Sequence, residues 1–416
     1  MSYAEALRYL YAQTPDFQRT GKVAYKPGLG NTLLLDEYFG HPHRRFTSVH
    51  VAGTNGKGST SHMLAAVLQR AGYRVGLYTS PHLNDFRERI KVGGAEIPPQ
   101  RVVDFVEKHR AAVERIHPSF FELTMMMAFD FFAQEKVEVA VVEVGLGGRL
   151  DSTNVITPAL SVITNIGLDH TDLLGDTLEK IAREKAGIIK PEVPVVVGEY
   201  QPEIAHIFEQ KAAACGAPLV FASRRYSCRY TAGYELDLRG SYQQRNLCTA
   251  LAALECLRQR GVFSFSQKNV EDGLRTAAAA TGLRGRWQLL RSAPKIICDT
   301  AHNAHGLQQT MAQLAGEKYE QLHIVFGMVA DKDIGSAVAL LPRAARYYFT
   351  QASVARAMPA DEMARKCRTA GLQGEAYPAV EQALLAAIEN AAANDFIYVG
   401  GSTFVVADAL KAFPNF

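Results

Sequence analysis

The chain has 416 residues, of which 48% are hydrophobic and 21% charged, and its formal net charge is +3. That is enough for two or three domains with a large buried core, and too near neutrality for a general attraction to nucleic acid or a membrane surface. Six scattered cysteines (Cys215, Cys228, Cys248, Cys256, Cys298, Cys367) form no CxxC pair, which favours the reduced thiols of a cytoplasmic protein over disulfides or a zinc site.

The N-terminus "MSYAEALRYLYAQTPDF" has early charge and no long apolar core, so no secretory signal is expected. "RFTSVHVAG" (45–53) reads as a strand and 59–71 as a helix. "YRVGLYTS" (73–80), "VEVAVVEVG" (137–145) and "ALSVITNIG" (159–167) read as further strands. Apolar β-branched runs that each enter a Gly- or Asp-rich loop suit a parallel sheet covered on both faces. "SFFELTMMMAFDFFAQEK" (119–136) reads as a buried helix feeding the strand at 137. The longest apolar run, "VEVAVVEVGLGG" (137–148), is broken by Glu138 and Glu143, so no bilayer span is expected. A less regular, hairpin-like stretch, "YSCRYTAGYELDLRG", precedes a helix over 242–261 that Gly261 ends. "TGLRGRWQLLRSAPK" (281–295) mixes Gly, Arg and Pro and reads as a hinge, placed at 284–294. The βα alternation then restarts, with strands at 295–300, 322–328, 345–351 and 395–401, as in a small open α/β domain. The expected domains are residues 1–287 and 288–416.

The stretch "VAGTNGKGST" (51–60) lies between an expected strand and an expected helix. Glycines let backbone N–H groups approach a phosphate, and the following helix aims its unpaired N–H groups at the anion. Lys57 supplies a point charge and Ser59 or Thr60 a hydroxyl. The match to GxxxxGK[ST] is imperfect, because the first glycine sits two residues closer and Gly58 intervenes before the hydroxyl. The competing reading is a Gly-rich turn with a solvated lysine.

Three further residues ask for an explanation. Glu143 ends an apolar strand, where a charge needs either a salt-bridge partner or a metal; strand ends of an open α/β sheet point into the ligand crevice. His170, in "ITNIGLDHTD", reads as a metal ligand or as a bystander near a helix start. Lys185 falls on the apolar stripe Leu178–Ile181–Ala182 of a helix capped by Asp176 or Thr177. It either snorkels at the last helical turn or is a lysine of depressed pKa, whose neutral amine adds CO₂ to become a carbamate.

Taken in order, "HVAGTNGKGST", "YTSPHLNDFRERI", "FFELT", "VEVGLGGRLDSTN", "ITNIGLDHTDLLGDTLEKIAREKAGIIK" and "DTAHNAHG" resemble the folylpolyglutamate synthase/dihydrofolate synthase family of the Mur ligase superfamily. The resemblance covers nearly the whole chain. It implies an α/β protein: a P-loop-type ATPase domain with a mostly parallel sheet, and a smaller Rossmann-like C-terminal domain. The implied activity is ATP-dependent addition of L-glutamate to dihydropteroate, to the glutamate tail of reduced folates, or to both, through an acyl phosphate. The implied cofactors are ATP and Mg²⁺ at two sites. A monomer with no nucleic-acid or membrane partner is expected. The alternatives are another Mur-type acid–amino-acid ligase and a non-catalytic nucleotide-binding switch.

Carried across residue by residue, Gly53, Thr54, Asn55, Gly56, Lys57, Gly58, Ser59 and Thr60 would hold the ATP phosphates. Ser80 and Glu143 would bind the first Mg²⁺; His170 would bind the second, with carbamylated Lys185 beside it. Asn246, Arg286 and Asp299 would contact the nucleotide, and His302 its phosphates or the glutamate site. The implied catalytic set is Lys57, His170, Lys185, Arg286 and His302. The pterin pocket would draw on Gly28, Leu29 and Gly30, on Phe121, Glu122 and Thr124, and on Leu150, Asp151 and Ser152. Phe120 and Phe121 stack on a flat heterocycle or belong to the core. The N-terminal segment departs from the commoner family pattern, since "GNT" follows Leu29 where many members carry an arginine.

Overall fold

The computed structural model describes residues 1–14, 28–226, 231–330 and 332–413, which divide into two compact units. The first comprises Met1–Asp237 and Gln243–Leu283; the second comprises Leu238–Tyr242 and Arg284–Phe416.

The first unit is built on eight strands: β1 Thr47–Ala52, β2 Val75–Tyr78, β3 Ile90–Val92, β4 Ala95–Glu96, β5 Val139–Glu143, β6 Leu160–Ile163, β7 Val195–Val197 and β8 Leu219–Phe221. Their order is β4-β3-β2-β5-β1-β6-β7-β8, antiparallel only at the β4-β3-β2 edge. Strands β2, β5, β6 and β7 are largely apolar, and β1 is buried with them although it carries Ser48 and His50, because helices cover both faces. On one face, helices Pro99–Ile116 and Phe120–Gln134 bury Phe105, Met126 and Phe129 with Tyr78 and Val142. Further along the same face, Leu178–Ala186 and Ala205–Ala214 bury Ile181, Ile207 and Phe208 with Ile163 and Val195, which the register aligns with Val142; Lys57–Arg70 and Gln243–Gln259 pack on the other face. Central β1 pairs in parallel with β5 and β6, with Val51 opposite Glu143 and Val162. The loops leaving β1, β5 and β6 therefore start side by side.

The second unit holds β9 Gln288–Ser292, β10 Lys295–Cys298, β11 Leu322–Phe326, β12 Arg346–Thr350, β13 Gln373–Tyr377 and β14 Phe396–Gly400, ordered β13-β12-β11-β14-β10-β9. All pairs are parallel except the β9–β10 hairpin.

Two expectations need correction. Residues 288–292, read as part of a hinge, form β9 at the edge of the second sheet, with Leu290 buried. The Ala293–Pro294 turn and the arginines disguised an edge strand as a linker. The hairpin-like reading of 226–240 also fails among the described residues: 231–242 contain no strand, and 227–230 lie outside the described residues.

Candidate active site

The phosphate loop leaves the end of β1 and enters the helix Lys57–Arg70, whose N-cap is Gly56. Gly56 has φ +82°, and a Cβ there would lie 2.1 Å from Asn246 Oδ1. Gly53 has φ +144°, and a Cβ there would meet Thr164 Oγ1 at 1.8 Å. Only glycine fits either place. The loop is held from outside by the residues that follow β6. Thr54 N donates to Asn165 O (2.9 Å) and Asn55 N to Asn165 Oδ1 (3.0 Å). Thr164 Oγ1 donates to Asn55 O (2.6 Å), and Gly167 N to Thr54 Oγ1 (2.9 Å). On the other flank, Asn246 Nδ2 donates to Gln243 Oε1 (2.8 Å) and Gln243 Nε2 to Ser59 Oγ (3.1 Å). Lys57 Nζ rests on Thr54 O at 3.2 Å. Thr60 Oγ1 is fully buried and has no hydrogen-bond partner. Of the two hydroxyls left open by the sequence, Ser59 is engaged by Gln243 and Thr60 is the orphan. Sequence reading did not single out Thr164, Asn165 or Gln243; "ITN" directly after an apolar run was the signal for the first two.

Glu143 ends β5, 3% exposed, and its Oε2 accepts from Ser80 N at 3.2 Å, so two of the expected metal residues adjoin. A carboxylate and a hydroxyl are hard oxygen donors of the type a small divalent cation takes. His170, at φ +50°, precedes the short helix Thr171–Leu174; its N–H donates to Asp169 Oδ1 (2.9 Å). Lys185 lies on the buried stripe with Ile181, Ala182 and Ala186 and is 4% exposed. Burial, then the neighbouring charge of Lys57, pushes its pKa down to about 7, against the opposing pull of Asp169 and Asp151. Thr177 caps its helix. Among the described residues, no three His, Cys, Asp or Glu side chains come together as a metal cluster.

The residues expected to bind pterin are largely spent inside the protein. Glu122 closes a capping box on Ser119 and accepts from Thr32 Oγ1 at 3.1 Å. Thr124 Oγ1 donates back to Phe120 O (2.6 Å). Asp151 accepts from Leu146 N (2.8 Å) and from Thr153 N (3.0 Å) and Oγ1; burial raises its pKa. Ser152 is buried, and Leu150 is partly exposed. Phe120 is core, stacked on Tyr11 at 5.1 Å and edge-on to Phe86. Phe121 is half-buried beside Tyr78, its ring lying where a Cβ on Gly145 would stand. Gly28, Leu29 and Gly30 form the entry to the helix Gly30–Tyr38 and are partly or fully exposed.

In the second unit, the loop after β10 carries Asp299 and His302. Asp299 is 2% exposed and accepts from Tyr242 OH (2.6 Å), Trp287 N (2.8 Å) and Ala301 N (2.9 Å), while burial raises its pKa. Arg286 donates to Thr300 Oγ1 and to Gly285 O, and His302 Nδ1 lies 3.0 Å from Thr300 O. Asp299 thus joins Tyr242, from the short excursion 238–242, to the start of the second unit.

Two family models match the chain: the Mur ligase middle domain over residues 51–225 and the Mur ligase glutamate ligase domain over 285–403. A dihydrofolate synthase/folylpolyglutamate synthase of Bacillus subtilis (strain 168) is 32% identical, covering 94% of this chain and 96% of its own length. The structure of E. coli FolC in complex with DHPP and ADP superposes with a TM-score of 0.84 at 31% identity, covering 100% of this chain and 98% of the other. A bifunctional folylpolyglutamate synthase/dihydrofolate synthase with Mn, AMPPNP and L-glutamate bound gives 0.83 at 31% identity, covering 99% and 98%. The chain belongs to the dihydrofolate synthase/folylpolyglutamate synthase family of Mur ligases.

Proposed function

We propose that the chain is an ATP-dependent ligase that joins L-glutamate to dihydropteroate, to reduced folates, or to both, releasing ADP and phosphate. The observation that carries this reading is the shared end of β1 and β5. There a pre-shaped phosphate loop with a buried, unpartnered Thr60 hydroxyl leaves the sheet beside the buried carboxylate of Glu143. A nucleotide switch needs the loop; an acid–amine ligase also needs charge to be neutralised where two anions meet.

The chemistry asks little covalent work of the protein. A carboxylate oxygen of the pterin-linked acid attacks the γ-phosphorus and ADP leaves. The glutamate amine then attacks the acyl carbon, phosphate departs and the amine loses a proton. Loop N–H groups from 53–60 hold the phosphates and Lys57 neutralises them. Mg²⁺ at two sites would supply further charge neutralisation. Ser80 and Glu143 would hold the first ion, and His170 and Lys185 the second. With a pKa of about 7, part of Lys185 is neutral near pH 7; its nitrogen then attacks CO₂ and releases a proton, leaving a carbamate. Asn246 and Asp299 orient the nucleotide, Arg286 and His302 approach its phosphates, and Phe121 offers a half-buried face for a flat ring. Gly28, Leu29, Gly30, Leu150 and Ser152 border the same pterin site in this reading.

We further place the enzyme in the cytoplasm as a monomer. Two findings support the compartment: no helix among the described residues is long and apolar enough to cross a membrane, and the described cysteines are free thiols. The test is phosphate release with ATP, Mg²⁺ and glutamate, with and without dihydropteroate or tetrahydrofolate. Release that requires one or both pterins is expected; release indifferent to either would overturn the reading.

A further inference from the structure

The chain passes between the units after Asp237, returns at Gln243, and leaves the first unit for good after Leu283. Just before that exit lies a five-residue helix, Ala277–Thr281, ended by Gly282 in the left-handed region at φ +67°. Charged side chains answer both of its ends. At the N-terminal end, Ala278 N and Ala279 N donate to the Asp237 carboxylate at 3.0 and 2.9 Å. At the C-terminal end, Lys91 of β3, 3% exposed, donates to Thr281 O (2.7 Å) and Gly282 O (3.2 Å). A carboxylate on the first N–H groups and an ammonium on the last carbonyls are the favourable polarity for a helix.

The same helix is fastened to the helix that follows the phosphate loop. His62 Nδ1 lies 2.6 Å from Thr281 Oγ1, and that hydroxyl donates to Ala277 O, so the imidazole is the donor. Arg70 Nη2 donates to Thr276 Oγ1 at 3.2 Å. One short helix therefore ties the two outgoing crossings, at Asp237 and at Gly282–Leu283, to the Lys57–Arg70 helix.

We propose that Ala277–Thr281 is a buckle, and that Lys91 and Asp237 are positioning residues which fix the start of the linker relative to the phosphate loop. Arg286 follows three residues after Leu283. A linker that starts from a fixed point limits where that arginine can go, and small misplacements of such groups cost rate rather than ground-state binding. The inference rests on the ligase reading for its effect on turnover, but not for its effect on the linker.

The test uses the full chain with Lys91→Met, Lys91→Arg and Asp237→Asn. Hydrogen exchange is expected to quicken about tenfold over residues 277–287, with residues 53–60 unchanged. Turnover is expected to fall about tenfold, with KM for ATP and the affinity for ADP within about twofold, and Lys91→Arg is expected to restore most of it. A slower kcat that merely tracks a smaller folded fraction, or faster exchange with kcat intact, would overturn the proposal. Should Lys91→Met fail to fold, the half-buried Asp237→Asn decides the same question. If the parent shows no pterin-dependent turnover, the ligase reading falls while the exchange measurement still judges the buckle.

Discussion

The phosphate loop Gly53–Thr60 and the two segments 119–124 and 149–154 lie in the same unit, and they spend their polar groups differently. Around the loop, the side chains of Thr164, Asn165 and Gln243 hold the backbone, and the Thr60 hydroxyl is left over. In the other two segments, Glu122, Thr124 and Asp151 use their oxygens on their own helix ends and turns. A buried polar group already satisfied inside the protein has little left to offer a ligand. The loop thus keeps a hydroxyl unspent, whereas the polar groups of 119–124 and 149–154 are spent on the fold.

The sharpest break in that comparison is Lys57→Ala. Its amine spends one hydrogen bond on Thr54 O, so kcat/KM should drop by about 10²–10³ while Tm stays within about 2 °C; ADP release and calorimetry read the two. Lys185→Ala should follow, with turnover down by at least about tenfold and partly restored by formate or acetate in the vacated carboxylate position. Absence of rescue would remove the carbamate and leave the ligase standing.

On the structural side, Glu122→Ala should cost about 1–2 kcal/mol in urea unfolding through the lost cap, with KM for the pterin acid unchanged. A tenfold rise in that KM at full stability would move Glu122 from cap to ligand. An effect that is absent at neutral pH and appears only in acid concerns His50 on β1, which bridges the two regions through Nε2 and Thr153 Oγ1 at 2.8 Å. Full burial pushes its pKa from the ordinary 6.5 down to about 3. The unfolded chain therefore binds a proton below pH 6.5 that the native state refuses. Stability is complete above that pH and falls, by at most about 1.4 kcal/mol per pH unit, as the pH drops towards 3. His50→Gln should flatten this slope in a pH series of chemical unfolding curves.

Elements that read correctly from sequence share one property: their patterns are local. The strand at 45–53, the glycine loop and the helix from 59 onward emerge as β1, the loop and Lys57–Arg70 because buried strands and glycine turns leave short-range signatures. Lys185 was conspicuous because a lysine breaks a 3.6-residue apolar stripe, and it is indeed buried there. Edge strand β9 was missed, since Arg291 and the Ala293–Pro294 turn imitate a linker until β10 pairs with it. The short excursion of the chain at 238–242 was likewise hidden, because nothing local marks Tyr242 as the partner of Asp299.

Residue order alone determined which side chains carry charge or a hydroxyl next to which strand ends, and hence the phosphate loop, the strand-end Glu143 and the misplaced Lys185. Tertiary structure decided which of those groups are already satisfied: Ser59 by Gln243, Glu122 by its own cap, Asp151 by its own turn, and Thr60 by nothing. The physical reason is that hydrogen-bond satisfaction depends on neighbours brought together across the fold, such as Gln243 reaching Ser59, and no sequence window spans that distance.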